Sequence, residues 1–248
     1  IAIVNAMSLL VRIDFKLSPG QDLIELDTLI HLLAQYIINQ DSTKDSNHTE
    51  NYQANIEGSL DILYQIVNGI NINVLFSGIR DFEFTKEIGL LDILKLDLYH
   101  GWIVDPAHAT LRELISHMTY NQLMEHICTW GEYDTETPEY KKYIMASKFL
   151  NGYPTQLSHY GLKLLVQSIP ETKIGVFFRN DHFSTVIRRG RHLLTLVSDF
   201  GYQNNSNVVW EIVALSGSGQ FLTCDFKIYR TPNMTGSQSS CVSSESKS

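Results

Sequence analysis

The order of hydrophobic patterns along the chain restricts its fold more than any other feature. Through most of the sequence the spacing is helical: Leu26, Leu29, Leu33 and Ile37, for example, recur every three or four residues and so share one helix face. The last part instead contains short segments rich in β-branched and aromatic residues, with turn residues between them. Helices first and strands afterwards are typical of the α+β class, whereas βαβ proteins alternate the two.

Caps and breakers help to delimit the predicted helices. Ser158 is a suitable N-cap and Pro170 a suitable stop for the helix between them, and Gly69 is placed to end an earlier one. The polar, Ser/Asn/Asp-rich residues 40–51 predict a loop. The predicted helices are residues 1–11, 26–37, 56–67, 107–118, 120–130, 140–150 and 160–168.

The predicted strands follow the helices, except for one short strand at residues 72–76. The others are rich in Val, Ile, Leu, Phe and Thr and are separated by short runs of turn residues. Their close succession predicts an antiparallel meander. These four strands are residues 174–179, 183–188, 193–198 and 208–213.

Composition and charge exclude several classes of protein. The net charge of −8 argues against a nucleic-acid partner, because phosphate binding requires clustered Lys and Arg. No apolar run reaches the roughly 20 residues that cross a bilayer, so we expect no membrane segment. The Ser/Thr-rich end of the chain has too little apolar surface to fold. We expect a monomer with one domain over residues 1–228 and a disordered tail over 229–248.

The three cysteines, Cys128, Cys224 and Cys241, are an odd number without close spacing. They predict neither a disulfide framework nor a structural zinc site, so we expect no metal, no other cofactor and a reducing compartment, cytoplasmic or nuclear. Cys128 lies within a predicted helix, where we expect a small buried residue. None of the three begins a helix, where the helix dipole lowers a thiol pKa, so none is a good candidate nucleophile.

His182 is the most informative candidate for chemistry. It lies in the stretch Phe-Phe-Arg-Asn-Asp-His-Phe-Ser-Thr of residues 177–185, at a predicted tight turn between two strands and flanked by aromatic residues that would exclude water. A histidine there can act as a general base near neutral pH. Ser198 ends the strand predicted after the next turn, so its hydroxyl could return beside the imidazole and orient it. The alternative is a hydrogen-bonded structural histidine, which is the commoner role of a lone histidine.

The stretch Leu-Tyr-His-Gly-Trp-Ile-Val-Asp-Pro of residues 98–106 concentrates aromatic residues beside a glycine. Such a cluster could present an aromatic surface to a partner, because aromatic anchors dominate interface energetics. A packed turn with Trp102 in the core is equally compatible with the composition. His100 has no Cys, His or Asp at zinc-ligand spacing, which argues against a metal site.

Together these stretches resemble the MINDY deubiquitinases, a family of cysteine peptidases with a papain-like core. The long motifs Tyr-His-Gly-Trp and Phe-Phe-Arg-Asn-x-His-Phe carry most of the resemblance. The matching stretches occur in the family's order, from the first residue to about residue 213. They are residues 1–5, 76–78, 81–85, 98–106, 120–123 and 177–185.

The resemblance implies hydrolysis of the isopeptide bond in polyubiquitin linked through lysine 48 of ubiquitin. It implies that His182 is the catalytic histidine and that Ser198 stands where the family usually has an orienting Thr. A Ser keeps the hydroxyl but lacks the methyl group that restricts the rotamer. The implied ubiquitin contacts are Asn71, Ile72, Trp102, Tyr120 and Phe178.

The resemblance also implies where the nucleophile belongs. In the family an Asn-Gly-x-Cys loop runs into the helix that reads Ile-Ala-Ile-Val-Asn here, which puts the cysteine about three residues before Ile1. An oxyanion-hole glutamine also precedes it. A helix N-terminus suits both groups, since its amides and dipole stabilise a thiolate and an oxyanion. We therefore expect residues 1–248 to hold the base and its orienting group without the nucleophile.

Two rival functions follow from the same residues. If no cysteine precedes the first helix, the scaffold would be a module that binds polyubiquitin without cutting it. If the aromatic clusters are only core, the chain would be an unrelated α+β interaction protein that binds no ubiquitin. A ubiquitin-interacting helix of the kind found at the family's C-terminal end is not recognisable in residues 231–248.

Overall fold

A computed structural model describes residues 1–11, 24–41, 62–65 and 69–230 of the chain. The α-helices precede the antiparallel strands, as predicted. Residues 62–65 are helical and are the described part of the helix predicted at 56–67. The helices with full bounds are α1 Ala2–Val11, α2 Leu26–Asp41, α3 Lys86–Ile93, α4 Ala109–Ile115, α5 Tyr120–Trp130, α6 Pro138–Gly152 and α7 His159–Ser168.

Side-chain caps explain why several helix starts were predictable. Thr119 and Gln122 form a capping box at α5, in which the Thr119 hydroxyl accepts from the Gln122 amide and the Gln122 side chain accepts from the Thr119 amide. Ser158 caps α7 by accepting from the amide of Gly161, as predicted. The loop predicted from residue 40 starts too early, because α2 continues through Asp41. The rest of that loop lies outside the described residues.

The sheet has six strands in the order β1 to β6. Every neighbouring pair is antiparallel except the first, which is parallel. The predicted meander is confirmed, while the parallel edge strand β1 was missed. The strands are β1 Leu98–His100, β2 Ile174–Arg179, β3 His182–Arg189, β4 His192–Leu196, β5 Trp210–Ile212 and β6 Phe221–Leu222.

The strand predicted at residues 72–76 is wrong. Val74 pairs with Phe82 and Leu75 pairs with Thr119, each as an isolated bridge. The segment changes neighbour after a single residue, so no continuous ladder forms. Val74 and Phe76 are nevertheless buried in the core, whereas Ile72 and Leu75 are half-buried.

Helices cover both faces of the sheet. On one face α1 contributes Ile3, Ala6 and Met7 to a buried cluster with Val176 of β2. On the other face Leu165 of α7 packs in a second cluster that contains residues of β2, β3 and β4. Because successive strand residues point to opposite faces, β2 supplies both clusters, with Val176 in the first and Phe177 in the second. The fold is therefore α+β, with the sheet between two helical layers.

Glycine permits the close contact between α7 and the end of β1. A Cβ built on Gly161 would lie 1.9 Å from the carbonyl oxygen of Gly101, which is far inside contact distance. The amide of Ser158 also donates to that Gly101 carbonyl. The start of α7 is thus fixed against the strand edge by backbone groups. No helix in the described part of the chain is both long and apolar enough to cross a membrane.

Candidate active site

A tight hairpin turn places His182 at the first position of β3. Asn180 and Asp181 form the two-residue turn between β2 and β3, with φ of 52° and 57°. Two consecutive residues in the left-handed region are the requirement of a type I′ hairpin turn, which Asn and Asp tolerate better than most residues. Arg179 pairs with His182 across the ladder. The predicted position of His182 at a turn between strands is confirmed.

The turn is held by Gln156, which precedes α7. The Gln156 side-chain amide donates to the carboxylate of Asp181 at 3.3 Å and its carbonyl accepts from the Asp181 amide at 3.4 Å. These contacts connect the hairpin to the segment that runs into α7. The hairpin that presents His182 is therefore supported from outside the sheet.

Water is not excluded from His182, contrary to expectation, since the residue is exposed. The neighbouring rings of Phe178 and Phe183 pack on each other at 5.1 Å between centroids. Both rings pack in the cluster around α1. His182 is adjacent to Phe183 in β3, so its side chain points to the opposite face of the sheet. The flanking aromatic residues therefore cover the other face of the hairpin and leave the imidazole open to solvent.

The residues that share a surface with His182 line a polar cavity of about 320 Å³. Ser184, Thr195 and Glu211 are the oxygen-bearing side chains among them that come from the sheet itself. Thr195 pairs with Val186 and also with Glu211, so neighbouring strands present these side chains on one face. The cavity can supply hydrogen-bond acceptors to an imidazole at its edge.

Arg179 and Glu211 give this cavity its charge. The Arg179 side chain donates to the carbonyl of Thr155 at 2.9 Å and to that of Leu215 at 3.4 Å. Burial lowers the pKa of Arg179, and the nearby negative charge of Glu211 opposes that shift. Glu211 itself accepts from the Gly219 amide at 2.8 Å. The Glu211 carboxylate therefore lies near the Arg179 guanidinium as its counter-charge.

Ser198 lies outside this cavity. It is exposed and follows β4 by two residues, because the ladder of β4 ends at Leu196 and not at 198. The next residue, Asp199, caps a short 3-10 helix at Phe200–Tyr202. Among the described residues no hydrogen bond joins Ser198 to His182. Sequence reasoning missed Ser184, Thr195 and Glu211, although the two-residue alternation along the predicted strands was a usable signal.

The first turn of α1 contacts the strand that carries His182. The hydroxyl of Thr185 donates to the carbonyl of Ala2 at 3.0 Å, and both residues are buried. By the alternation along β3, Thr185 points to the face opposite His182. The amino end of α1 therefore lies three residues along β3 from His182, on the other side of the sheet.

Neither described cysteine is placed as a nucleophile. Cys128 is exposed on α5, so its predicted burial is wrong. The buried side of α5 is formed by Leu123 and Trp130, and Cys128 lies off that side. Cys224 is exposed in the turn after β6. Cys241 lies outside the described residues.

The structure brings together four of the five predicted ubiquitin contacts. Ile72, Trp102, Tyr120 and Phe178, which we call the aromatic patch, belong to one hydrophobic cluster. Trp102 is its centre, with only 6% exposure and ring centroids 5.5 Å from Tyr120. The other three are half-buried and form its accessible edge. Asn71 is exposed beside Ile72.

His100 has a structural role beneath the aromatic patch. It is buried, its ring lies 4.9 Å from that of Phe82, and Nδ1 accepts from the amide of Trp102 at 3.3 Å. Burial lowers the pKa of His100 to about 4, although the carbonyls of Gly78 and Asp81 oppose the shift. The ring is therefore neutral at pH 7. Within the described ranges no three His, Cys, Asp or Glu side chains are grouped to hold a metal.

Comparison with known proteins gives a consistent match over nearly all of the chain. A family profile described as MINDY deubiquitinase matches residues 1–226. Ubiquitin carboxyl-terminal hydrolase MINDY-1 of Danio rerio is 34% identical over 230 residues, which are 92% of this chain and 44% of that protein. MINDY-2 of Homo sapiens is 34% identical over 234 residues, 94% of this chain and 37% of that protein. The chain thus spans less than half the length of these relatives.

Proposed function

The chain belongs to the MINDY deubiquitinase family, and from that membership we propose that the intact protein is a cysteine-type deubiquitinase. Its substrate is polyubiquitin linked through lysine 48. Its core is papain-like, with an active site formed by the amino end of a helix and a histidine on a strand. The observation that carries the proposal is the aromatic patch. Four residues far apart in sequence converge on one cluster whose edge stays accessible.

Chemistry begins with a thiol supplied ahead of Ile1, at the amino end of α1. His182 accepts the thiol proton, and the thiolate attacks the isopeptide carbonyl carbon. The carbon–nitrogen bond breaks while His182 returns the proton to the departing lysine amine. Water then hydrolyses the thioester and releases the ubiquitin C-terminus. Ser198 orients the imidazole during these proton transfers.

Two structural features support this assignment of roles. His182 is exposed at the end of a braced hairpin, so its ring can reach a substrate without a rearrangement of the core. Thr185 on the same strand bonds the first turn of α1, which couples the histidine strand to the helix that the nucleophile would precede. In the structure Ser198 lies outside the cavity beside His182, and the amino end of α1 lies on the other face of the sheet. The proposed reaction therefore requires the imidazole and Ser198 to move together when the thiol and substrate are present.

The aromatic patch is the proposed ubiquitin-binding surface. Aromatic side chains that are held by a packed core lose little entropy on binding, which makes them effective anchors. The negative net charge suits a basic partner face. We further propose that the protein acts as a monomer in the cytoplasm and nucleus, consistent with the exposed, unpaired thiols of Cys128 and Cys224.

A module that binds polyubiquitin without cutting it is the second candidate. The observation in its favour is that neither described cysteine lies at a helix N-terminus. An activity-based ubiquitin probe that reacts with an active thiol separates the two candidates. The full-length protein is expected to be labelled at a cysteine ahead of Ile1, and a polypeptide of residues 1–248 to remain unlabelled. Labelling at Cys128 or Cys224 would contradict the assignment, and an unlabelled full-length protein that binds chains would favour the module.

A further inference from the structure

Phe84 is an exposed aromatic residue next to a hydrogen-bonded stretch of backbone. Its side chain is 79% exposed, although it lies in a segment that is tied to its neighbour by hydrogen bonds. The amide of Glu83 donates to the carbonyl of Asn73 at 2.8 Å, and the amide of Leu75 donates to that of Asp81 at 3.0 Å. Exposing a large ring in this way costs solvation free energy that burial would recover.

The antiparallel pairing of residues 73–75 with residues 81–83 places Phe84 beside the aromatic patch. Val74 is opposite Phe82, and the side-chain amide of Asn73 donates to the carboxylate of Glu83 at 2.6 Å, which fixes the next pair. Within this pairing only Val74 and Phe82 form a bridge, and continuing their register by two residues would put Ile72 opposite Phe84. Opposite residues in an antiparallel pair point to the same side. Phe84 therefore lies on the side of Ile72, a member of the aromatic patch.

The apolar side of this pairing becomes progressively more exposed along its length. Val74 is buried and Phe82 is partly buried, and both pack in the cluster that contains Trp102. Ile72 is partly buried, and Phe84 is almost fully exposed. Phe84 thus lies on the same side of the pairing as Ile72 and is more exposed than Ile72.

The local helix start explains why the described residues cover so little of Phe84. Thr85 is the N-cap of α3, so Phe84 occupies the position that normally packs on the fourth helical residue as a hydrophobic staple. That fourth residue is Gly89, which has no side chain to offer. A Cβ built there would lie 3.8 Å from the Phe84 ring, at ordinary contact distance. The Phe84 ring therefore occupies the staple position, but Gly89 supplies no side chain for it to pack against.

The charges around Phe84 indicate the chemistry of its partner. Between residues 81 and 92 the acidic side chains are Asp81, Glu83, Glu87 and Asp92, and Lys86 is the only basic one. Asp81 and Glu83 alternate with Phe82 and Phe84 and so lie on the other side of the pairing, where they accept from Ser77 and Asn73. The segment as a whole is nevertheless acidic, and an apolar anchor in an acidic segment is complementary to an apolar patch with a basic rim. A basic-rimmed protein surface fits this arrangement better than an acidic peptide or an anionic membrane.

We infer that Phe84 is a further ubiquitin contact that continues the aromatic patch beyond Ile72. The inference rests on the proposed function, because ubiquitin is the partner that the family's activity supplies. Phe84 acts as a docking residue and takes no part in the proton transfers, since it lies with the patch and not with His182. Its loss therefore weakens binding and leaves the chemical step intact.

Direct binding tests the inference. Full-length protein, alkylated with iodoacetamide to prevent turnover, is titrated with lysine-48-linked tetraubiquitin. Phe84→Ser is expected to weaken binding about tenfold. The matched control is Tyr133→Ser, because Tyr133 is also an exposed aromatic residue, at 48%, in the loop after α5. The control is expected to bind as tightly as wild type, and both variants to keep the wild-type thermal midpoint.

A second variant covers the ring without removing it. Gly89→Met supplies the missing staple partner and is expected to weaken binding in the same direction as Phe84→Ser. If wild type binds tetraubiquitin and Phe84→Ser binds it equally well, the inference is overturned and the proposed function remains intact. Equal weakening by Tyr133→Ser would overturn it too. Wild-type protein that neither binds nor cleaves tetraubiquitin would overturn both.

Discussion

The hydroxyl of Thr185 donates a hydrogen bond to the carbonyl of Ala2, joining β3 to the first turn of α1 across nearly the whole described chain. Both residues are buried, so water does not compete for this bond. The bond fixes the amino end of α1 relative to the strand that carries His182. It therefore links the strand that carries the proposed base to the helix that the nucleophile would precede.

Thr185→Val removes this bond at nearly constant side-chain volume. We expect the free energy of unfolding to fall by about 1 kcal/mol, the typical net contribution of one hydrogen bond. Chemical denaturation measures the loss, and Thr185→Ser, which keeps the hydroxyl, serves as the control. In the full-length enzyme we also expect Thr185→Val to lower kcat, because α1 is less well fixed. Unchanged stability and kcat would show that the bond has no role in either.

Gly161→Ala tests the contact between α7 and β1. The added Cβ would lie 1.9 Å from the Gly101 carbonyl oxygen, and backbone cannot move aside as a flexible side chain does. We expect a loss of about 3 kcal/mol, at the upper end for overpacking. Gly152→Ala at the end of α6 is the control, since nothing lies within 4 Å of its added Cβ. Equal thermal midpoints for the two variants would contradict the close contact.

His100 predicts a specific dependence of stability on pH. Burial lowers its folded-state pKa to about 4, whereas an unfolded histidine titrates near its ordinary value of about 6.5. Between these values the unfolded chain binds the proton and the folded chain does not, so stability falls as the pH is lowered through this window. The loss attributable to His100 is up to about 3 kcal/mol.

The measurement compares unfolding of wild type and His100→Gln at pH 7 and pH 4.5. Carboxylates titrate in both proteins, so only the difference between the two reports on His100. We expect wild type to lose more stability than the variant on acidification. Parallel losses would mean that His100 already binds its proton in the folded state.

The sequence predicts locally determined features of this fold well. The predicted start of α5 at Tyr120 is confirmed, since Thr119 and Gln122 cap it, and the turn predicted beside His182 is the Asn180-Asp181 hairpin turn. Both signals are carried by a few neighbouring residues, whose side chains satisfy or shape the nearby backbone.

Non-local features were missed for a physical reason. Strand β1 is only three residues long and pairs with β2, so that Leu98 lies opposite Val176. Nothing in its local pattern indicates a partner so distant in sequence. The end of β4 is similar, because its ladder with β5 ends where Leu196 pairs with Trp210, and beyond it only the Val197 amide continues the register by donating to the Val209 carbonyl. That early end leaves Ser198 away from the cavity beside His182.

Ser198 tests whether an orienting hydroxyl is needed for the proposed reaction. We expect Ser198→Ala in the full-length enzyme to lower kcat about tenfold or more while KM changes little, because the side chain acts through the imidazole and not on ubiquitin. Ser198→Thr is expected to retain or raise kcat, since its methyl group restricts the rotamer. A wild-type rate for Ser198→Ala would move the orienting role to a residue of the cavity, of which Glu211 is the charged candidate.

His182→Ala in the full-length protein tests the central claim most directly. Cleavage of lysine-48-linked tetraubiquitin is measured alongside the thermal midpoint and chain binding. The account predicts that cleavage is lost while the variant stays folded and binds chains as tightly as wild type, because His182 is exposed and supplies only the proton transfers. Retained cleavage by the folded variant would contradict it.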